Sequence, residues 1–254
     1  MEREDFRSAG KNAALYPGSG RELPLVVLNC FEGDGSSELR ALKALQEKTD
    51  PAEEELCFHL LALHIPDWRK DMTPWPAPPL TPGETPFGGG ADDFLGDLAA
   101  VIIPEARARL SEPPSRIFIA GYSLAGLFAL YALYRSDMFF GAAAVSGSFW
   151  FPGFLEYARE HEFRRRPERL YFSLGDREGR TSHKLLSTVP ENIAVLIRHY
   201  RSLGIPALWE ENPGNHFKNP SGRTARGIRA LLEQDPWSGS SPDFGSVSVC
   251  AANS

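Results

Sequence analysis

One serine of the chain lies in a setting suited to nucleophilic chemistry. Residues 121–126 read Gly-Tyr-Ser-Leu-Ala-Gly, directly after the apolar run at 117–120 and before a strongly helical segment. This order predicts a strand, a sharp turn and a helix, with Ser123 exposed on the turn. Such a turn strains the backbone and requires small residues two positions away on each side, which Gly121 and Ala125 supply. Although a match this short also arises by chance, the strand-to-helix context favours Ser123 as a nucleophile.

The same turn places backbone N–H groups where negative charge can develop. Because the predicted helix begins directly after Ser123, the N–H of Leu124 can point at the oxyanion of a tetrahedral intermediate. A second donor is expected from the loop after the predicted strand at 25–28. By position alone Phe31 is the favoured donor, and Cys30 is the alternative.

A serine hydroxyl is a weak nucleophile until a base accepts its proton. The six histidines of the chain are His59, His64, His161, His183, His199 and His216. His216 follows the last predicted strand, where hydrolases with this serine motif hold the base in the chain order Ser, acid, His. The alternative is that His216 only caps the closing helix. His64 ends another strand and could line the same pocket.

The acid that orients the imidazole is expected after the predicted strand at 170–174. Two carboxylates follow that strand, Asp176 and Glu178. In hydrolases of this kind the acid often occupies the fourth position of a Gly-x-x-Asp sequence, which falls on Glu178 when counted from Gly175. Glu178 is therefore favoured and Asp176 is the alternative. The acid fixes the imidazole tautomer and stabilises the imidazolium.

Several bulky side chains follow strands at the edge where α/β proteins bind ligands. Trp68 and Trp75 lie in a proline-rich loop after the second predicted strand, and Trp150 follows another strand. The three tryptophans are candidates for the apolar wall of a substrate pocket. Asp71, or its neighbour Arg69, is a candidate for orienting a polar group. The alternative is that the tryptophans only pack their loops against the body of the protein.

Short apolar runs alternate with amphipathic stretches along the chain. The expected strands lie at 13–16 (a strand or hairpin closed by residues 17–20), 25–28, 56–63, 116–120, 142–145, 170–174 and 207–211. The expected helices lie at 36–48, 92–110, 124–135, 154–164, 191–203 and 224–233. This alternation predicts the α/β class, with a mostly parallel central sheet and helices on both faces.

The whole of 1–234 is expected to form one domain. Residues 235–254 are rich in Ser, Gly and Pro and are expected to be a disordered tail.

Composition narrows the class of protein. Hydrophobic residues make up 42% of the 254 residues and charged residues 24%, as in soluble globular proteins. The net charge of −6, without a basic patch, argues against nucleic-acid binding. No apolar run approaches the ~18 residues of a membrane span. Three cysteines without a spacing pattern and a charged N-terminus without a signal peptide lead us to expect a cytoplasmic protein.

Several motifs together resemble one esterase family of the α/β-hydrolase superfamily, which includes siderophore trilactone esterases of the enterobactin type and feruloyl esterases. The motifs are Gly88-Gly89-Gly90-Ala91-Asp92-Asp93-Phe94, the block 121–134, Phe140-Gly141 and Ser146-Gly147-Ser148-Phe149-Trp150. The resemblance runs from about residue 24 to residue 233.

The resemblance implies an α/β-hydrolase fold and ester hydrolysis without a cofactor or metal. It implies a catalytic centre at Ser123, Glu178 and His216, although some siderophore esterases work with a weak acid or none. Two features depart from the family pattern, namely Ala125 in the serine motif and the compact Trp- and Pro-rich loop after His64.

The expected function is hydrolysis of a small-molecule carboxylic ester through an acyl-enzyme. The alternatives are an acyltransferase with the same centre and a non-catalytic protein that binds a ligand on a hydrolase scaffold.

Overall fold

The structure is a computed structural model that describes residues 3–49 and 57–233. Its strands are β1 (Glu4–Ser8), β2 (Lys11–Tyr16), β3 (Leu25–Cys30), β4 (His59–His64), β5 (Pro76–Ala77), β6 (Phe87–Gly88), β7 (Ile117–Tyr122), β8 (Gly141–Val145), β9 (Arg169–Gly175) and β10 (Ala207–Asn212). Eight of them form one sheet in the order β1-β2-β4-β3-β7-β8-β9-β10, and β5 pairs with β6 separately.

The central sheet is parallel except at one edge. The neighbours from β4 through β3, β7, β8 and β9 to β10 run parallel, whereas β1 and β2 are antiparallel additions. Strand β3 is buried along its whole length. Such a strand can be apolar at consecutive positions because both of its faces are covered.

Helices cover both faces of the sheet. They are α1 (Ser36–Thr49), α2 (Trp68–Asp71), α3 (Ala91–Asp97), α4 (Ile103–Arg107), α5 (Leu124–Arg135), α6 (Phe154–Glu160), α7 (Val189–Ser202) and α8 (Pro220–Leu232). Alternate residues of β3 reach two separate cores: Leu25 and Val27 pack with residues of α3 to α7, while Val26 and Leu28 pack with residues of α1 and α8. The predicted fold class is therefore confirmed.

The N-terminal hairpin differs from the sequence expectation. Its turn is Ala9-Gly10, with φ angles of 45° and 76°, and not the stretch at 17–20 that was predicted to close it. The partner strand β1 is polar and lies at the sheet edge, so it carries no apolar run that would announce a strand.

The segment predicted as one helix at 92–110 is divided by a π-helical turn. Helix α3 passes through a π-helical turn at Leu98–Ile102 and continues as α4. Pro104 stands in the first turn of α4, directly after the π-helical turn.

The proline-rich segment between β4 and α3 contains the short helix α2 and the β5–β6 pair. Gly89 permits this loop to close, because its φ is 69° and a Cβ there would press into the backbone at Trp75 and Pro76.

The predicted tail at 235–254 lies outside the described residues, and the single-domain assignment stays a prediction. Within the described ranges, no helix is both long enough and apolar enough to cross a membrane.

Candidate active site

Ser123 lies on the sharp turn between β7 and α5. Its backbone has φ 60° and ψ −120°, a conformation that L-residues rarely adopt. Its N–H donates to the carbonyl of Val145 on the neighbouring strand β8 at 3.0 Å. A Cβ on Gly121 would lie 2.5 Å from the Cβ of Ala125 and closer still to its backbone. The turn therefore requires a glycine at 121 and a small residue at 125.

Three side chains predicted from the sequence come together above the C-terminal edge of the sheet. The Oγ of Ser123 lies 3.1 Å from Nε2 of His216, on the loop after β10. The Nδ1 of His216 lies 2.6 Å from Oε2 of Glu178, which follows β9. The hydroxyl of Tyr122 donates to the backbone carbonyl of His216 at 2.7 Å and holds the loop in place. The arrangement can pass a proton from hydroxyl to imidazole.

The carboxylate of Glu178 accepts several hydrogen bonds. Its Oε1 accepts from the N–H of Gly175 at 2.7 Å, from Oγ of Ser146 at 2.9 Å and from Nη1 of Arg223 at 2.7 Å. Burial pushes the pKa of Glu178 upward, but the hydrogen bond and charge of His216, together with the donors at Gly175 and Ser146, lower it below the ordinary value. Glu178 is therefore ionised at neutral pH.

Asp176 occupies a different position from Glu178. Its Oδ1 accepts from the N–H of Gly214 at 2.6 Å, and its side chain is exposed. This carboxylate stabilises the loop before His216 and makes no hydrogen bond to the imidazole.

Arg223 was missed by sequence reasoning. Its side chain is 1% exposed, and its Nη2 donates to the carbonyls of Pro213 at 3.2 Å and Asn215 at 3.0 Å, while Nη1 binds Glu178. The sequence gives no signal for this role, because an arginine in an amphipathic helix is usually exposed. A closing helix that begins at Pro220 rather than at the predicted residue 224 brings it under the site.

Ser148 was also not predicted as a site residue. Its Oγ lies 3.3 Å from the Oγ of Ser123, and its N–H donates to the carbonyl of Ser123 at 3.0 Å. The motif that contains it, 146–150, was recognised only as part of the family resemblance.

Both residues predicted as oxyanion donors, Leu124 and Phe31, line the cavity at Ser123. Among the residues that the structure describes, neither the N–H of Leu124 nor that of Phe31 has a hydrogen-bond partner. Cys30 is buried, and burial raises the pKa of its thiol, so the thiol stays protonated and is a poor nucleophile. The assignment of the second donor to Phe31 or Cys30 stays a prediction.

Ser123 and His216 line a cavity of about 740 Å³. Two of the predicted tryptophans, Trp68 and Trp150, line it. The other apolar side chains of its wall include Leu28, Phe31, Leu80, Phe87, Leu124, Leu186, Val189, Phe217 and Pro220. A cavity of this size and character suits a small apolar or aromatic ligand.

Asp71 and Trp75 do not line this cavity, and their assignment as substrate contacts is corrected. Asp71 forms a buried ion pair with Lys11 of β2, with Nζ 3.0 Å from Oδ2. Trp75 donates from Nε1 to the carbonyl of Pro152 at 2.9 Å and packs on Tyr157 at a ring distance of 5.4 Å. Trp68 and Arg69 line the cavity, whereas Asp71 and Trp75, a few residues further along the chain, lie outside its lining.

His64 likewise lies elsewhere. It lines a groove beside β1 and β2, away from Ser123. The antiparallel pairing of β2 with β4 places His64 opposite Asn12, on the side of the sheet edge that the N-terminal hairpin covers.

No protein-family model matches the chain. Over 155 residues it is 31% identical to the uncharacterized protein YbbA of Bacillus subtilis (strain 168), which is 60% of this chain and 62% of YbbA. The matched part thus spans less than two thirds of that relative.

Several solved structures are similar to this chain over most of its length. An IroE-like serine hydrolase from Shewanella oneidensis has a TM-score of 0.75 at 19% identity, over 91% of this chain and 80% of that chain. Siderophore hydrolase EstB from Aspergillus nidulans has a TM-score of 0.69 at 22% identity, over 92% and 96%. The enterobactin esterase FES from Shigella flexneri has a TM-score of 0.61 at 18% identity, over 91% and 58%.

These structural similarities identify the fold of the chain. The chain has the α/β-hydrolase fold, which it shares with serine hydrolases and siderophore esterases. The fold predicted from the sequence resemblance is therefore confirmed.

Proposed function

We propose that the chain is a carboxylic ester hydrolase that uses Ser123, His216 and Glu178 as a catalytic triad. The proposal is carried by one observation: a continuous hydrogen-bonded path from Oγ of Ser123 through the imidazole of His216 to the Glu178 carboxylate. The unpartnered N–H groups beside it and the apolar cavity add to this support.

The first half-reaction transfers the acyl group to the protein. Nε2 of His216 accepts the proton of Ser123 as its Oγ bonds to the ester carbonyl carbon. The N–H groups of Leu124 and Phe31 stabilise the oxyanion of the tetrahedral intermediate. As the intermediate collapses, the ester C–O bond breaks and the leaving alcohol takes the proton from His216.

The second half-reaction returns the enzyme to its resting state. His216 removes a proton from a water molecule that attacks the acyl-enzyme carbonyl. The bond to Ser123 then breaks, the carboxylic acid leaves, and Oγ recovers its proton. Throughout both halves Glu178 holds Nδ1–H, so that Nε2 keeps the lone pair that accepts protons.

We propose a small-molecule ester as substrate, in the class that siderophore hydrolases and the enterobactin esterase represent. A screen with p-nitrophenyl esters, a siderophore trilactone and a feruloyl sugar tests this class. Products formed with an added acceptor alcohol separate hydrolysis from acyl transfer.

Labelling with a fluorophosphonate tests the nucleophile directly. We expect one adduct on Ser123 in the folded protein, lost in Ser123→Ala and retained in Ser202→Ala, a matched change at an exposed serine. Ser123→Ala should lower kcat by about 10⁴- to 10⁶-fold. An unlabelled wild-type protein that binds esters without turnover would instead support the binding-protein alternative.

A further inference from the structure

Among the described residues that line the cavity at Ser123, carboxylates outnumber arginine and lysine side chains. Its charged lining residues, apart from His216, are Glu32, Glu38, Arg69 and Glu178. Glu178 is neutralised by the buried guanidinium of Arg223. The charge that a substrate meets therefore depends on Glu32, Glu38 and Arg69.

Arg69 is already occupied by other groups. Its Nη2 lies 2.6 Å from Oε2 of Glu84, and its Nη1 donates to the carbonyl of Thr85 at 2.7 Å. Its guanidinium also lies over the ring of Phe87, 5.2 Å from the centroid. These contacts fix the arginine against its own loop and offset its charge.

Glu32 and Glu38 have no arginine or lysine partner of this kind among the described residues. Across residues 3–49 and 57–233, no ion pair includes either carboxylate. Glu38 is half-buried in the first turn of α1. After burial itself, the charge of Glu38 is a cause of the raised pKa of the Cys30 thiol. The negative potential of Glu38 thus reaches a residue that lines the cavity.

The aromatic walls act in the same direction as the two carboxylates. Phe31 and Trp68 meet edge to face at 5.3 Å, and Phe87 and Trp150 pack at 5.6 Å. Aromatic faces are electron-rich and attract cations, so these walls favour a cationic ligand wherever a ring presents its face.

We propose that the site discriminates among aromatic and apolar esters by charge, favouring cationic and uncharged ones over anionic ones. This inference rests on the proposed ester hydrolysis and refines its substrate class. In a partly desolvated cavity the two unpaired carboxylates attract a positive substituent and repel a negative one over several ångströms.

Three p-nitrophenyl esters of nearly equal shape test the proposal. Each is a 3-arylpropanoate whose ring carries, at the para position, trimethylammonio, tert-butyl or sulfonate. At low ionic strength we expect kcat/KM to fall at least about tenfold from the cationic to the anionic ester, with the neutral ester between. The ratio should shrink in 1 M salt, where screening acts within about 3 Å.

Variants connect this ratio to the two carboxylates. Glu32→Gln and Glu38→Gln should each reduce the cation-to-anion ratio by about threefold, and the double variant should nearly abolish it. Glu160→Gln, a matched change at an exposed glutamate on α6, should leave the ratio unchanged. An anionic ester hydrolysed as fast as the cationic one, or a double variant with the wild-type ratio, overturns the inference.

Binding to Ser123→Ala keeps the inference separate from the reaction. Dissociation constants of the three esters on this variant should follow the same order as kcat/KM. Absence of turnover with that order of binding refutes the proposed function and supports the charge selectivity. Turnover with the reverse order of binding supports the proposed function and refutes the charge selectivity.

Discussion

Arg223 and Glu178 form a buried ion pair beneath the candidate active site. Nη1 of the arginine lies 2.7 Å from Oε1, and the two side chains are 1% and 6% exposed. The same guanidinium holds the carbonyls of Pro213 and Asn215, in the loop that presents His216. One side chain of α8 thus contacts both the Glu178 carboxylate and the loop that carries His216.

Removing Arg223 should cost both stability and activity. Arg223→Met leaves the Glu178 carboxylate buried without its cation, which destabilises proteins by about 3–5 kcal/mol. We expect that loss in the free energy of unfolding measured with urea, and a lower kcat at temperatures where the variant stays folded. Arg229→Met, a more exposed arginine on the same helix, should change stability by no more than about 0.5 kcal/mol. Equal losses in the two variants would contradict this role for Arg223.

Glu178 should make stability depend on pH on the acid side. Because its pKa is lowered in the folded protein, the unfolded chain binds the proton more readily. Its contribution is present above the ordinary glutamate pKa of about 4.3 and is lost as the pH falls through the lowered value. Unfolding free energies measured between neutral pH and acid should therefore fall less steeply in Glu178→Gln than in the wild type. An unchanged slope would contradict the lowered pKa.

The same substitution should impair turnover at neutral pH. Glutamine cannot hold the imidazole in the required tautomer, and the corresponding change in a serine protease triad lowers kcat by about 10⁴-fold. Asp176→Asn is the matched control because, among the described residues, Asp176 accepts from the Gly214 N–H and makes no hydrogen bond to the imidazole. Near-wild-type kcat in Glu178→Gln would show that the acid is dispensable.

Gly121 should not tolerate a methyl group. In Gly121→Ala the new Cβ would press into the backbone of Ala125, so the turn at Ser123 must shift. We expect a destabilisation of about 1–3 kcal/mol and a large loss of kcat. In Gly96→Ala, on the exposed side of α3, the new Cβ meets nothing within 4 Å, and the gain should be about 0.5–1 kcal/mol. Thermal unfolding of the two variants gives opposite signs if the turn is as close-packed as described.

Substitutions at Trp68 and Trp75 should affect different properties, substrate binding at Trp68 and stability at Trp75. Trp68 lines the cavity, so Trp68→Ala should raise KM for aromatic esters severalfold more than it lowers kcat. Trp75 packs against Tyr157 and lies outside the cavity lining, so Trp75→Ala should cost about 3 kcal/mol of stability while KM stays near the wild-type value. A raised KM in Trp75→Ala would restore the wall role first expected from sequence.

Local pattern was enough to predict the sheet and the position of the candidate nucleophile. The apolar run of β3 and the sequence before Ser123 predict strands because consecutive buried residues and a strand–turn–helix motif are properties of neighbouring residues. Ser123, Glu178 and His216 each follow a predicted strand. Because the carboxyl ends of parallel strands meet at one edge of the sheet, the same reasoning predicts that the three residues lie near one another. The polar strand β1 escaped prediction, because an edge strand needs no apolar run.

Only tertiary structure decided which distant groups surround those residues. Glu178 and Asp176 are two positions apart, and the fold of one loop brings Glu178 to the imidazole and Asp176 to Gly214. Asp71 became the buried partner of Lys11, and Arg223 became the partner of Glu178, through contacts between segments far apart in sequence. Burial of a charge depends on the partner that compensates it, and that partner is set by packing rather than by spacing along the chain.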